Sequence, residues 1–73
     1  MKVRKTQAVL YIFNQLMKHK QIRKADIQDT LSISDLAFRR YLQELRAFLV
    51  NFDEEYVLVY SKNDEIYYLL NSK

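Results

Sequence analysis

The 73-residue sequence predicts an α+β domain: three helices followed by a two-stranded antiparallel β-hairpin. Two observations carry that expectation. Apolar residues recur every three or four positions from residue 9 to residue 52, the period of buried helical faces. From residue 56 the chain turns to β-branched and aromatic runs separated by turn formers. A chain this short makes one domain, residues 1–73, and buries only about 60% of its unfolded surface, so the core is small. An apolar content of 49%, with four Phe and six Tyr, is enough to build it and excludes a disordered chain.

Helix 1 is expected over residues 6–18. Val9, Ile12, Phe13 and Leu16 fall at i, i+3, i+4 and i+7 and define one buried face, with Thr6 placed to cap it. The polar Lys18-His19-Lys20-Gln21 ends that pattern. Ile22 returns to the core ahead of a short helix 2 from Lys24 to Leu31, with Ala25, Ile27 and Leu31 inward and Lys24 and Asp29 outside. Ser32-Ile33-Ser34 forms a tight turn, and the Ser34 hydroxyl meets the unpaired N–H groups that start helix 3. Along helix 3, Phe38, Leu42, Leu45, Leu49 and Phe52 share a face that packs on helices 1 and 2, whereas Leu36, Arg39, Arg40, Gln43 and Ala47 face away. Asn51 is best suited to end this helix, because asparagine tolerates the left-handed conformation. Residues 56–60 and 66–70 read as strands joined through Ser61-Lys62-Asn63-Asp64. A lone hairpin is marginal in water, so one of its sides lies on the helices. With neither Gly nor Pro in the chain, the sharp turns fall to Asn, Asp and Ser.

The net charge of +3 is unevenly spread: residues 1–50 hold ten Lys and Arg against four Asp and Glu, residues 51–73 two against five. The basic charge belongs to the helices, where it either attracts phosphate and speeds encounter with nucleic acid or forms a solvated surface. With no cysteine and a single histidine, His19, neither a disulfide nor a zinc site can be assembled. No nucleophile–histidine arrangement, glycine-rich phosphate loop or metal cluster is legible, and Asp53-Glu54-Glu55 reads as a solvated acidic turn. Neither catalysis, a cofactor nor a small-molecule substrate is therefore expected. The basic start, Met1 to Lys5, is followed by no apolar signal segment, and the longest apolar runs fall far short of the roughly 20 residues that span a bilayer. These features lead to the expectation of a cytoplasmic protein without a membrane partner.

The segment from Leu31 to Leu45 has the layout of a helix-turn-helix: a helix end, a tight turn and a capped helix with adjacent arginines. Its residues Leu31, Ile33, Ser34, Phe38, Arg39, Arg40, Leu42 and Leu45 resemble the winged helix-turn-helix of the DeoR type, whose corresponding segment runs approximately L-G-V-S-x-x-T-V-R-R-x-L-x-x-L. Asp26-Ile27 matches the acidic–apolar pair that opens the family's second helix. The similarity extends over about residues 6–70 and is motif-like over 26–45. It departs from the family pattern at Ser32, in place of the turn glycine, at Leu36 and Ala37, in place of a polar pair, and at Tyr41, where an acid is common.

The resemblance implies that helix 3 lies in the major groove with Asp35, Leu36, Ala37, Arg39, Arg40 and Gln43 nearest double-stranded DNA. An arginine fork matches guanine or a phosphate, so Arg39 and Arg40 are the principal candidates; pairing with Asp35 or Glu44 at the surface is their other role. Gln43 either reads adenine or sits past the groove, and Leu36 either touches a thymine methyl or belongs to a protein interface. Ser34 belongs to the same set chiefly as a cap. Arg23 and Lys24 are placed to grip a phosphate, as are Lys2, Arg4 and Lys5 of an ordered N-terminal arm. Lys62 is the one cation near the wing tip, and Asp64 and Glu65 beside it make the wing a poor groove probe. Of Tyr56, Tyr60, Tyr67 and Tyr68, strand alternation turns some outward, where they either meet a second copy or another protein, or simply cover the core. The expected function is that of a small sequence-specific DNA-binding protein, a transcriptional regulator or an accessory factor of a phage or plasmid. The rival is a winged-helix protein-interaction module acting as adaptor or inhibitor.

Overall fold

A computed structural model describes residues 3–53 and 55–71. Its elements run α1 (Lys5–His19), β1 (Gln21–Arg23), α2 (Lys24–Leu31), α3 (Asp35–Phe52), β2 (Tyr56–Ser61) and β3 (Ile66–Asn71). Three helices followed by an antiparallel hairpin is the expected α+β architecture, and its layout is that of a winged helix. The addition is β1. Gln21 to Arg23 pairs antiparallel with β3, so the hairpin is part of a three-stranded sheet in the order β1-β3-β2. The sheet thereby gains the third strand that an isolated hairpin lacks.

The core forms where the helices and the inner face of the sheet meet. Ile12 and Leu16 of α1, Phe38 and Leu45 of α3, and Leu58 and Leu69 of the hairpin are all buried there, with Ile22 entering from β1. Phe38 joins the layers: its ring meets Tyr67 edge-on at 5.6 Å, and Tyr67 in turn stacks on Tyr60 at 4.6 Å. Tyr56 and Tyr67 pack against the core, whereas Tyr60 remains exposed on the hairpin.

Several local expectations are corrected. Thr6 does not cap α1; the helix starts one residue earlier, and its N-cap, Arg4, makes no side-chain cap bond. Ala8 replaces Val9 and Phe13 at the centre of the buried α1 face, and the latter two are half-buried. Ala25 is exposed, because the two-turn α2 needs only Ile27 and Leu31 to reach the core. Asn51 stays helical; α3 ends at Asp53, whose φ of −148° is not left-handed. Phe52, 77% exposed, lies beyond the helices it was expected to pack on and stacks on Phe48 instead, 5.4 Å between centroids. Among the described residues the left-handed positions are Lys20, Ser32 and Glu65, of which only Ser32 belongs to the expected residue types. Lys20 and Ser32 each follow a helix and donate their N–H back into its last turn, to Leu16 O and Gln28 O, so the helix ends dictate the backbone there.

Candidate nucleic-acid interface

The α2–α3 corner is built as the residue order dictates. Ser32 reverses the chain at φ 54°, and half-buried Ile33 packs against the core. Ser34 caps α3: its hydroxyl oxygen accepts the Ala37 N–H at 3.1 Å. The capped helix buries Phe38, Leu42, Leu45 and Leu49, which forces the alternate positions outward. Leu36, Arg39, Arg40, Gln43 and Ala47 are all exposed, and half-buried Ala37 lies toward Tyr41 and the turn.

Two of the expected site residues hold each other. The Lys24 ammonium at the start of α2 lies 2.8 Å from Asp35 Oδ1, and Gln28 Nε2 donates to the same oxygen at 2.9 Å. These bonds, the one from Lys24 foremost, hold the Asp35 carboxyl below its ordinary range; the Asp35 bond likewise raises Lys24, partly opposed by its burial. Arg39, one turn along α3, adds its field to both, so Lys24, Asp35 and Arg39 form one electrostatic cluster. Asp35 also stands in the first turn of α3, where a negative charge is favoured by the helix dipole.

On the other flank Lys5 of α1 borders a shallow depression with Ser34, Leu36, Ala37 and Arg40. Lys5 is partnered by Glu44 at 3.4 Å. Both acids proposed as partners for the arginines are thus engaged elsewhere, and among the described residues neither Arg39 nor Arg40 forms an ion pair or hydrogen bond. Arg23 is exposed at the end of β1, opposite Ile66, and precedes Lys24. Lys62 lies apart from this set in the β2–β3 turn, where the Ser61 and Tyr68 hydroxyls both donate to Asp64 Oδ2 at 3.4 Å. Arg4 is exposed at the start of α1, and Lys2 falls outside the described residues.

One cation was missed. Arg46 is exposed three residues beyond Gln43 and seven beyond Arg39, on the same side of α3. The helical period that singled out Leu36 to Ala47 contained this signal. Val50, 70% exposed, continues the row, so the outer side of α3 mixes guanidinium, amide and apolar groups. No helix among the described residues is long and apolar enough to cross a membrane. No family model, curated protein or solved structure matches the chain.

Proposed function

We propose that this protein binds double-stranded DNA sequence-specifically by laying α3 in the major groove, as a transcriptional regulator or an accessory factor of a phage or plasmid. The observation that carries the reading is the outer face of α3, where Arg39, Arg40 and Arg46 are exposed around Gln43 with no ion pair or hydrogen bond among the described residues. A guanidinium fork on a rigid, capped helix fits guanine O6 and N7 or a phosphate, and a glutamine amide fits adenine. Arg23 adds an exposed cation on the strand leading into α2, suited to a phosphate. The acidic groups around Lys62 leave the wing outside the contact.

The test is selection of bound sequences from a random duplex pool, followed by gel retardation with the Arg39→Ala/Arg40→Ala variant. Each lost base contact weakens binding by about 1–3 kcal/mol, so the double variant should lose at least about thirtyfold in affinity while its thermal melt stays close to the parent's. Unchanged retardation removes α3 from the role.

A second reading draws on Leu36, 58% exposed among the arginines, and on Val50 further along the same face. These apolar groups suit a protein-interaction module acting as adaptor or inhibitor, with the arginines as a polar rim. The discriminator is salt: a partner complex that forms without DNA and survives high salt supports this reading over the first.

A further inference from the structure

We propose that two copies of this chain associate edge to edge through β2, forming one six-stranded antiparallel sheet with its two-fold axis at Leu58. The evidence is a free strand edge whose sequence is its own complement. β2 is the outer strand in the order β1-β3-β2. The opposite edge, β1, has only three residues, carries Arg23 and runs straight into α2. β2 is six residues long, pairs with β3 without a bulge and contains neither proline nor a charged residue, so it lacks the usual devices that protect an edge.

The backbone faces the right way. Leu69 donates its N–H to Lys20 O at 2.9 Å, on the β1 side of β3. Leu69 is paired with Leu58, so this is a non-hydrogen-bonded pair of the hairpin, and the N–H and C=O of Leu58 point away from β3 to the open edge. Alternation directs those of Tyr56 and Tyr60 the same way. Tyr56 N–H is satisfied by Asp53 O at 3.1 Å, but the edge N–H groups of Leu58 and Tyr60 have no partner among the described residues.

The side chains fit the same operation. Tyr56-Val57-Leu58-Val59-Tyr60 reads identically in both directions. An antiparallel pair centred on Leu58 therefore sets Tyr56 opposite Tyr60 of the second copy, Val57 opposite Val59, and Leu58 opposite Leu58. The two Leu58 residues exchange both their hydrogen bonds, and each Tyr60 N–H reaches the Tyr56 C=O of the other copy. On the outer face, Val57 lies beside Leu70 and Val59 beside Tyr68. Val57, Val59 and Leu70 are exposed, and the pairing joins them to the equivalent row of the second copy as one apolar stripe. The pairing uses no residue of the α3 set and stands independently of the DNA reading.

The test is sedimentation equilibrium of the whole chain, without DNA, from about 10 μM to about 1 mM, the range suited to a small interface. The parent should show a monomer–dimer equilibrium, and exchange of the Leu58 and Tyr60 amide protons should slow as concentration rises. Val57→Lys/Val59→Lys sets two pairs of ammonium groups against each other across the axis and should weaken association about tenfold or more. Val57→Lys/Val59→Glu places opposite charges at the same contacts and should restore it. Circular-dichroism melts of both variants check that the fold is kept. A parent that stays monomeric throughout overturns the proposal, as does a dilysine variant that associates like the parent; a mixed-charge variant no better than the dilysine one overturns the register.

Discussion

Asp35 stands where a helix start favours an anion, and the same carboxylate ties α3 to the Lys24 and Gln28 side chains of α2. Its pKa is held down by those bonds, so its contribution to stability is complete above the ordinary carboxylate range and disappears as pH falls through the lowered value of the folded state. Lys24 has the opposite sign: its raised pKa gives a contribution complete below the ordinary lysine range and lost as pH climbs through the folded value. Asp35 is exposed and Lys24 only half-buried, so solvent screens the pair and the effect is small. The expected result is that the melting temperature of Asp35→Asn depends less on acid than the parent's, with the two curves converging below the carboxylate range. Parallel acid limbs in a pH series of melts would place the parent's acid sensitivity elsewhere. Freed from its carboxylate in this variant, Lys24 should also bind a phosphate more readily, which gel retardation reads as tighter, less selective binding.

At the scale of elements, α3 shows how far periodicity carries. Phe38, Leu42, Leu45 and Leu49 are buried as their spacing predicts, because α1 and the sheet cover that length of the helix. The next residue in the series, Phe52, has the same spacing and no cover. Phe38→Ala should therefore cost about 3–5 kcal/mol, enough to threaten the fold of so small a domain, whereas Phe52→Ser should stay within about 0.5 kcal/mol of the parent in urea titrations. Other misses have the same origin. A three-residue β1 is too short to show alternation, and only its pairing with Tyr67 and its neighbours makes Ile22 part of a strand. Ser34 was legible as a cap because capping is local chemistry. The clamp between Lys24 and Asp35 was not, because it depends on the angle between two helices. Of the candidate set, the exposed arginines followed from the helical period; that Asp35 and Glu44 are occupied by Lys24 and Lys5 followed only from tertiary packing.

Across the whole molecule, the basic first 50 residues and the acidic residues 51–73 divide the charge between two ends of the sequence. A DNA complex formed through α3 should weaken with salt by about 0.9 logarithmic units per logarithmic unit for each phosphate engaged. Arg23→Ala and Arg46→Ala should each reduce that slope by about one unit if their guanidinium groups meet phosphate, and a salt titration of retardation for each variant checks it. Asp64→Lys/Glu65→Lys should raise affinity for any duplex without improving selectivity, since phosphate attraction at the wing carries no sequence information.

Three chain reversals rest on residues with a side chain in a region of backbone space that suits glycine: Lys20, Ser32 and Glu65. Each bears a steric cost of about 1–2 kcal/mol, offset in part by the smaller conformational freedom of its unfolded form. Lys20 also keeps its ammonium 5.3 Å from the centre of the Tyr56 ring, a contact that glycine would forfeit. Ser32→Gly/Glu65→Gly should therefore raise the melting temperature by roughly 5–10 °C, as a scanning calorimeter would record. Such a heat-hardened background would let every weakened variant above be assayed while still folded, separating loss of recognition from loss of structure.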